Sequence, residues 1–257
     1  MNRAPRFMVI AGALTAALLA FALPQTSRAD EFSKSQTTAI QKIVHDYLVQ
    51  HPEVLEEAMG ELQKRQQASE AAKNKEVVKA HAKQLFDSPD EVVLGNPKGN
   101  VTFVEFFDYN CGYCKHAMSD MLTLLKSDPN LKVVLKEFPV LGPGSVEAAR
   151  VAVAVRMQAP QKYLEFHTKL LGGRGHADEA RALAVAKEIG LDMTRIRKDM
   201  KSPEVEKTLK QDFGLAQALG LNGTPSYVVG DNVIVGAVGL DALKQKIANA
   251  RCGKDAC

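Results

Sequence analysis

The rhythm of apolar and polar positions changes several times along the chain, and each change marks an element. After an almost wholly apolar run over residues 7–21, residues 35–86 read as helix. Ile40, Val44, Tyr47 and Leu48 form one stripe at helical spacing; Leu55, Met59 and Leu62 form another behind Pro52, whose fixed φ suits a first helical turn. Between Gln63 and Glu76 the signal fades to Ala68, Ala71 and Ala72, then returns at Val78, Ala82 and Leu85 with near-heptad spacing. Apolar stripes on an otherwise polar helix need a partner. We read residues 30–86 as a helical oligomerisation segment with a solvated middle, a trimer favoured over a dimer; the competing reading folds this helix back on the rest of the chain.

From Asp87 onward strands and helices mix. Ser88-Pro89-Asp90 and Gly95-Asn96-Pro97 punctuate the chain around a short edge-strand candidate at 92–94. Residues 101–107 predict a buried strand, 111 to about 126 a helix with Met118, Met121, Leu122 and Leu125 inward, and 131–138 the next strand. That is a βαβ unit, whose crossover should be right-handed. Residues from about 145 to 219 read as helical throughout, with breaks at Ala159-Pro160, Gly172-Gly173-Arg174-Gly175, Gly190 and Ser202-Pro203. In the last of these helices Val205, Leu209, Phe213 and Ala216 share one face. Two short strands follow, 227–229 and 233–235, joined at Gly230-Asp231-Asn232, and a helix from 240 to about 250 closes the pattern. A helical block is thus inserted into a small α/β sheet, all within a domain of residues 87–257.

Composition adds a compartment. Arg3 and Arg6, the apolar run, and Ser27-Arg28-Ala29 make residues 1–29 read as a secretory signal, which predicts export; the competing reading is an uncleaved membrane anchor, but the apolar run is short for a spanning helix and a cleavage site follows it. Cleavage would remove three arginines and no acidic residue, so the formal +3 falls to zero and nucleic-acid binding loses its compositional support. With four cysteines in a chain of this size, disulfides are not what holds the core together. They are free to do chemistry.

Cys111-Gly112-Tyr113-Cys114 sits directly after the strand at 101–107, which puts two thiols one turn apart where a strand hands over to a helix. At the first helical turn, unpaired N–H groups and the positive end of the dipole favour a thiolate at Cys111, a nucleophile and a good leaving group; Cys114, a turn further in, is the resolving thiol. Zinc is the rival for any C-x-x-C, with Cys252 and Cys257 as the other pair, but that spacing is loose and terminal; a local disulfide or a disordered end suits the tail better. His45, His51, His81, His167 and His176 lack ligand spacing, and Lys115 and His116 read as ordinary exposed helix residues, with a weak electrostatic role for Lys115 in reserve.

Gly223-Thr224-Pro225-Ser226 ahead of the final hairpin completes the pattern. With the dithiol, it makes the chain resemble the thioredoxin superfamily, and specifically its DsbA-like branch with a helical insertion. The resemblance implies an α/β thioredoxin-like fold, a cis proline at Pro225 packed against the dithiol, and backbone groups of Thr224 that pair with an extended substrate peptide beside Cys111. It implies that Cys111 and Cys114 form the redox-active disulfide, that Gly112 and Tyr113 meet substrate, and that Glu105 is a buried acid that helps deprotonate Cys114, where an outward-facing strand carboxylate is the plainer reading. Gly112 and Tyr113 offer the thiolate no strong cation, so the disulfide should be less oxidising than that of relatives with His between the cysteines. Gly-Tyr between the cysteines, together with Thr before the proline, is similar to bacterial disulfide isomerases and suppressor-of-copper-sensitivity C proteins. The implied activity is disulfide isomerisation of exported proteins, with no bound cofactor and a membrane thiol reductase as electron donor. A dithiol oxidase is the alternative within the family, and a copper-tolerance protein holding Cu(I) on Cys111 and Cys114 is the alternative outside enzymes.

Overall fold

The computed structural model describes residues 32–253. The expected signal at 1–29 and the tail residue Cys257 lie outside the described residues. The chain divides into two compact units between Gly60 and Glu61.

The first unit holds helix α1 (Lys34–Gln50) and the start of α2 (Glu53–Ala80). Ser33 and Gln36 open α1 with a reciprocal cap: the Gln36 N–H donates to Ser33 Oγ at 3.3 Å and the Ser33 N–H to Gln36 Oε1 at 2.9 Å. No residue of α1 is buried, and Ile43, Val49 and Met59 stand 66–71% exposed.

The second unit contains the remainder of α2, a short helix α3 (Ala82–Phe86), and strands β1 (Val92–Gly95), β2 (Val101–Phe107), β3 (Leu131–Glu137), β4 (Ser226–Val229) and β5 (Asn232–Val235). They form one five-stranded sheet in the order β1-β3-β2-β4-β5. β2 and β3 run parallel, joined through helix α4 (Gly112–Ser127); every other pair is antiparallel. Both faces of β2 are covered, and its residues alternate between two cores. Phe103 and Phe107 pack with Met121 and Leu124 of α4 and with Leu243 and Ile247 of the closing helix, Leu240–Cys252; Val104 and Phe106 pack with Val134, Leu215 and Leu219 on the far face.

Val78 and Leu85 belong to that second core, 2% and 0% exposed. The near-heptad spacing after Glu76 is therefore real, but the surface it meets is the sheet of its own chain. Sequence reasoning ended the oligomerisation segment at residue 86, whereas the compact unit that carries the dithiol begins at Glu61.

Between β3 and β4 lie helices α5 (Pro143–Gln158), α6 (Tyr163–Gly172), α7 (Glu179–Glu188), α8 (Met193–Asp199) and α9 (Pro203–Ala218), with a 3-10 turn at Pro160–Lys162; the closing helix is α10. The buried face of α9 runs through Val205, Thr208, Asp212, Leu215 and Ala216, while Phe213 is exposed. Apolar spacing placed Val205 and Ala216 on the buried face but missed Thr208 and Asp212, because Asp212 turns inward to the Lys136 ammonium.

Candidate active site

The turn from β2 into α4 is built by two Asx side chains, Asp108 buried and Asn110 half-buried. One Asp108 carboxylate oxygen accepts from the Asn110 N–H at 2.8 Å, the other from the N–H groups of Val140 and Leu141 at 2.8 and 2.9 Å, and its carbonyl accepts from the Cys111 N–H at 3.1 Å. Asn110 donates from Nδ2 to Ser145 Oγ at 3.0 Å and to the Ala177 carbonyl at 2.8 Å, and accepts from the Ala177 N–H at 2.7 Å. The loop after β3 and the loop before α7 are thereby tied to the residues that precede the first cysteine. Neither Asp108 nor Asn110 was singled out in the sequence. An Asp-x-Asn before a helix is a visible turn signal, but bonding partners this far along the chain leave no local trace.

Cys111 is the N-cap of α4. Its Sγ accepts from the Cys114 N–H at 3.3 Å and donates to the Thr224 carbonyl at 3.1 Å, across 113 positions of sequence. The Thr224–Pro225 bond is cis. Both cysteines are free thiols; Cys111 is 5% exposed and Cys114 fully enclosed. Beside them Tyr113 is 71% exposed, and a Cβ at Gly112 would meet nothing within 4 Å, so the turn between the thiols opens outward. The structure thus brings together the dithiol, Thr224 and Pro225.

Cys114 is held as a thiol: burial pushes its pKa up strongly, and the Cys111 sulfur and Glu105 add to the effect. Glu105 lies on the same face of β2 as Phe103 and Phe107, 2% exposed, which rules out the outward-facing reading. Its pKa is pushed up to about 8, by burial first and by the Asp120 carboxylate second, and its Oε2 is buried with no hydrogen-bond partner. A group ionising near neutrality beside an enclosed thiol is suited to taking its proton.

A second buried polar set lies behind the turn. The Tyr163 hydroxyl donates to Glu137 Oε1 at 2.7 Å and meets the Tyr109 hydroxyl at 3.1 Å; burial pushes all three groups up. His167, dismissed in the sequence as scattered, is buried edge-on against Phe107 at 4.6 Å, and burial pushes its pKa down to about 3. Lys115 donates to the Gly173 carbonyl at 2.8 Å and braces α4 against the end of α6, while His116 stays exposed. Among the described residues no group of His, Cys, Asp and Glu is placed to hold a metal ion, and no helix is long and apolar enough to cross a membrane. Cys252 is disulfide-bonded.

Residues 102–248 match the family model of the DSBA-like thioredoxin domain, and residues 36–69 match that of the Copper resistance protein ScsC N-terminal domain. A solved thioredoxin-like oxidoreductase from Silicibacter pomeroyi DSS-3 is 47% identical, covers 66% of this chain and 97% of its own, and superposes with a TM-score of 0.64. Proteus mirabilis ScsC in a transitional conformation is 26% identical, covers 86% of this chain and 100% of its own, and has a TM-score of 0.64. Disulfide bond formation protein D of Bacillus subtilis is 26% identical over 172 residues, which is 63% of this chain and 78% of that protein. The chain spans about a quarter of the length of the antiporters it matches: Na(+)/H(+) antiporter NhaA 1 of Salinispora arenicola is 27% identical over 169 residues, 26% of that protein.

Proposed function

The chain belongs to the DSBA-like thioredoxin family, and on that footing we propose that it is a periplasmic thiol–disulfide oxidoreductase working chiefly as a protein disulfide isomerase. The observation that carries the reading is the Cys111 thiol, capping α4 and 3.1 Å from the carbonyl that precedes a cis proline. As a thiolate, Cys111 attacks one sulfur of a mispaired substrate disulfide; a mixed disulfide forms and the other substrate sulfur leaves as a thiolate. In isomerisation a different substrate thiolate then attacks the mixed disulfide and restores Cys111 with no net electron flow. In the reductive branch Cys114 gives its proton to Glu105 and attacks Cys111, the substrate leaves with both electrons, and a membrane thiol reductase must then reduce the new disulfide. Thr224 and Pro225 receive an extended segment of the exported protein, with Gly112 and Tyr113 on the opposite rim.

The match at residues 36–69 covers the part of α1 and α2 whose apolar stripes are unpartnered within one chain. It supports an oligomer, with a trimer favoured over a dimer, that keeps several dithiols at high effective concentration around one substrate. The same match favours one further reading: the two free thiols are soft ligands of the kind Cu(I) takes, and a copper titration of the reduced protein with Cys111→Ser and Cys114→Ser controls measures it.

The deciding experiment is recovery of activity from a scrambled-disulfide substrate. Wild type should restore it, Cys111→Ser should fall to background, and Cys114→Ser should retain isomerisation while accumulating mixed disulfides. A reduction potential close to that of the strongest dithiol oxidants, about −120 mV, would overturn isomerisation in favour of disulfide donation.

A further inference from the structure

We propose that the glycine-rich loop between α6 and α7, with Arg181 and Lys115 against it, forms a cationic rim that draws acidic segments of the substrate to Cys111. The inference rests on the reading of Cys111 as the attacking thiol, and adds a preference among the disulfides it attacks.

The loop is tied to the dithiol turn at both ends. Lys115, one turn along α4 from Cys111, donates from Nζ to the Gly173 carbonyl at 2.8 Å. Asn110, the residue before Cys111, holds both backbone groups of Ala177, accepting from its N–H at 2.7 Å and donating to its carbonyl at 2.8 Å. Gly173 to Ala177 therefore form an arc whose two feet stand on residues either side of Cys111 in the chain. Arg174 lies on that arc and is exposed. A third contact fixes the arc from outside: the His176 ring lies against Gly144 at the start of α5, where a Cβ would collide with its Nε2. Ser145, the next residue, accepts from Asn110 Nδ2 at 3.0 Å.

The glycines make room for a second cation. A Cβ at Gly173 would collide with Arg181 Nη2, and one at Gly175, where φ is +83°, would stand 3.8 Å from Arg181 Nη1. The guanidinium is thus packed against the loop, its Nε enclosed with no hydrogen-bond partner. Among the described residues neither Arg174 nor Arg181 forms a side-chain ion pair. The nearby acids are engaged at the start of α7: Asp178 accepts from the Arg181 backbone N–H at 2.9 Å, and Glu147 from the Glu179 N–H at 3.3 Å. The charge of the arc is therefore directed outward. In an extended substrate, residues two or three positions from the attacked cysteine lie about 7–10 Å from it, which is within a Debye length at low salt. An Asp or Glu at those positions is attracted to the rim, and a Lys or Arg is repelled.

The test is stopped-flow reaction of the reduced full chain with three small peptide disulfides, identical except that Glu, Gln or Lys flanks the cysteine at two positions. At about 10 mM salt the Glu peptide should react about tenfold faster than the Lys peptide, the modest end of electrostatic steering, and the gap should close near 1 M salt. Arg174→Glu should abolish or reverse the gap, with the Gln peptide moving least and the pH dependence of Cys111 alkylation unmoved. Arg197→Glu makes the same charge change on the exposed side of α8 and should keep the gap. Equal wild-type rates for the three peptides at low salt would overturn the rim, as would a gap that Arg197→Glu removes as fully as Arg174→Glu does. If Arg174→Glu slows all three peptides alike and shifts the alkylation profile, the loop tunes the thiol and does not select substrate. A wild type that reacts with none of the peptides removes the attacking thiol itself, and the rim with it.

Discussion

Glu105 carries an opposition between stability and chemistry in one side chain. Its carboxyl ionises near pH 4.3 in an unfolded chain and near 8 in the folded one, so across that window the native state holds a proton the unfolded state has lost. Stability is full below the window, falls as pH rises through it, and levels off above 8. Glu105→Gln should therefore be the more stable protein at pH 8.5, by up to about 4 kcal/mol in urea titrations, with the gap closing toward pH 4; a gap that ignores pH would deny the shift. His167 works from the other side. Its pKa is depressed to about 3, so its contribution is present above the unfolded value near 6.5 and is lost as pH falls toward 3. His167→Phe, set among Phe107, Tyr109 and Tyr163, should flatten the acid limb of stability between pH 6 and 4, and an unchanged limb would assign it to other groups. Cys111-Gly112-Tyr113-Cys114 and Gly223-Thr224-Pro225-Ser226 are short motifs at element boundaries and so are visible in sequence, whereas Glu105 lies inside β2 and is picked out only by the resemblance. Asp108, Asn110 and His167 are not visible there, since what matters about them is a partner or a burial decided by distant segments.

Elements were legible wherever apolar spacing sets their packing, and were misread where a charge does. The five strands, α4 and the helical block between β3 and β4 all fall close to where the apolar rhythm put them. On α9 that rhythm found Val205 and Ala216 but not the rest of the buried face, because Asp212 turns inward to meet Lys136 at 3.0 Å while Glu91, just before β1, meets the same ammonium at 2.8 Å. Asp212 also accepts the Glu137 N–H at 3.1 Å, so one carboxylate ties α9 to β3 twice. Burial and the Asp212 charge push Glu91 well up, and although burial pulls Lys136 down, the two carboxylates outweigh it and hold it charged. The cluster joins the sheet edge to the inserted helices, and its removal from one side is expected to be costly. Lys136→Met leaves two enclosed carboxyls without their cation, and should lower unfolding free energy by about 3–5 kcal/mol. A loss under 1 kcal/mol in urea titrations would mean that both acids simply take up protons.

At the scale of the whole molecule, the open question is what covers the apolar stripes of α1. Ile40, Ile43, Val44, Tyr47 and Val49 are 42–67% exposed within one chain, on a helix with no buried residue. Burying apolar surface is worth about 25 cal/mol per Å², so a second copy offering the same stripe is a partner of the right chemistry, and symmetry lets every chain use it alike. The test depends on where the chain is cut. A chain starting at Asp87, the boundary drawn from sequence, lacks Val78 and Leu85 and so leaves holes in the core on the far face of the sheet; filling lost of this kind costs about 2–5 kcal/mol per large side chain. A change in assembly in that chain would be confounded with damage to the fold. A chain starting at Glu61 keeps the second compact unit whole. Sedimentation should find the full chain oligomeric and the Glu61 chain monomeric with an unchanged thermal midpoint, while Ile43→Asp in the full chain should dissociate it without altering the reactivity of Cys111. If the Glu61 chain sediments as the full chain does, the stripes are not the seam, and several dithiols acting on one substrate would need a different surface to bring them together.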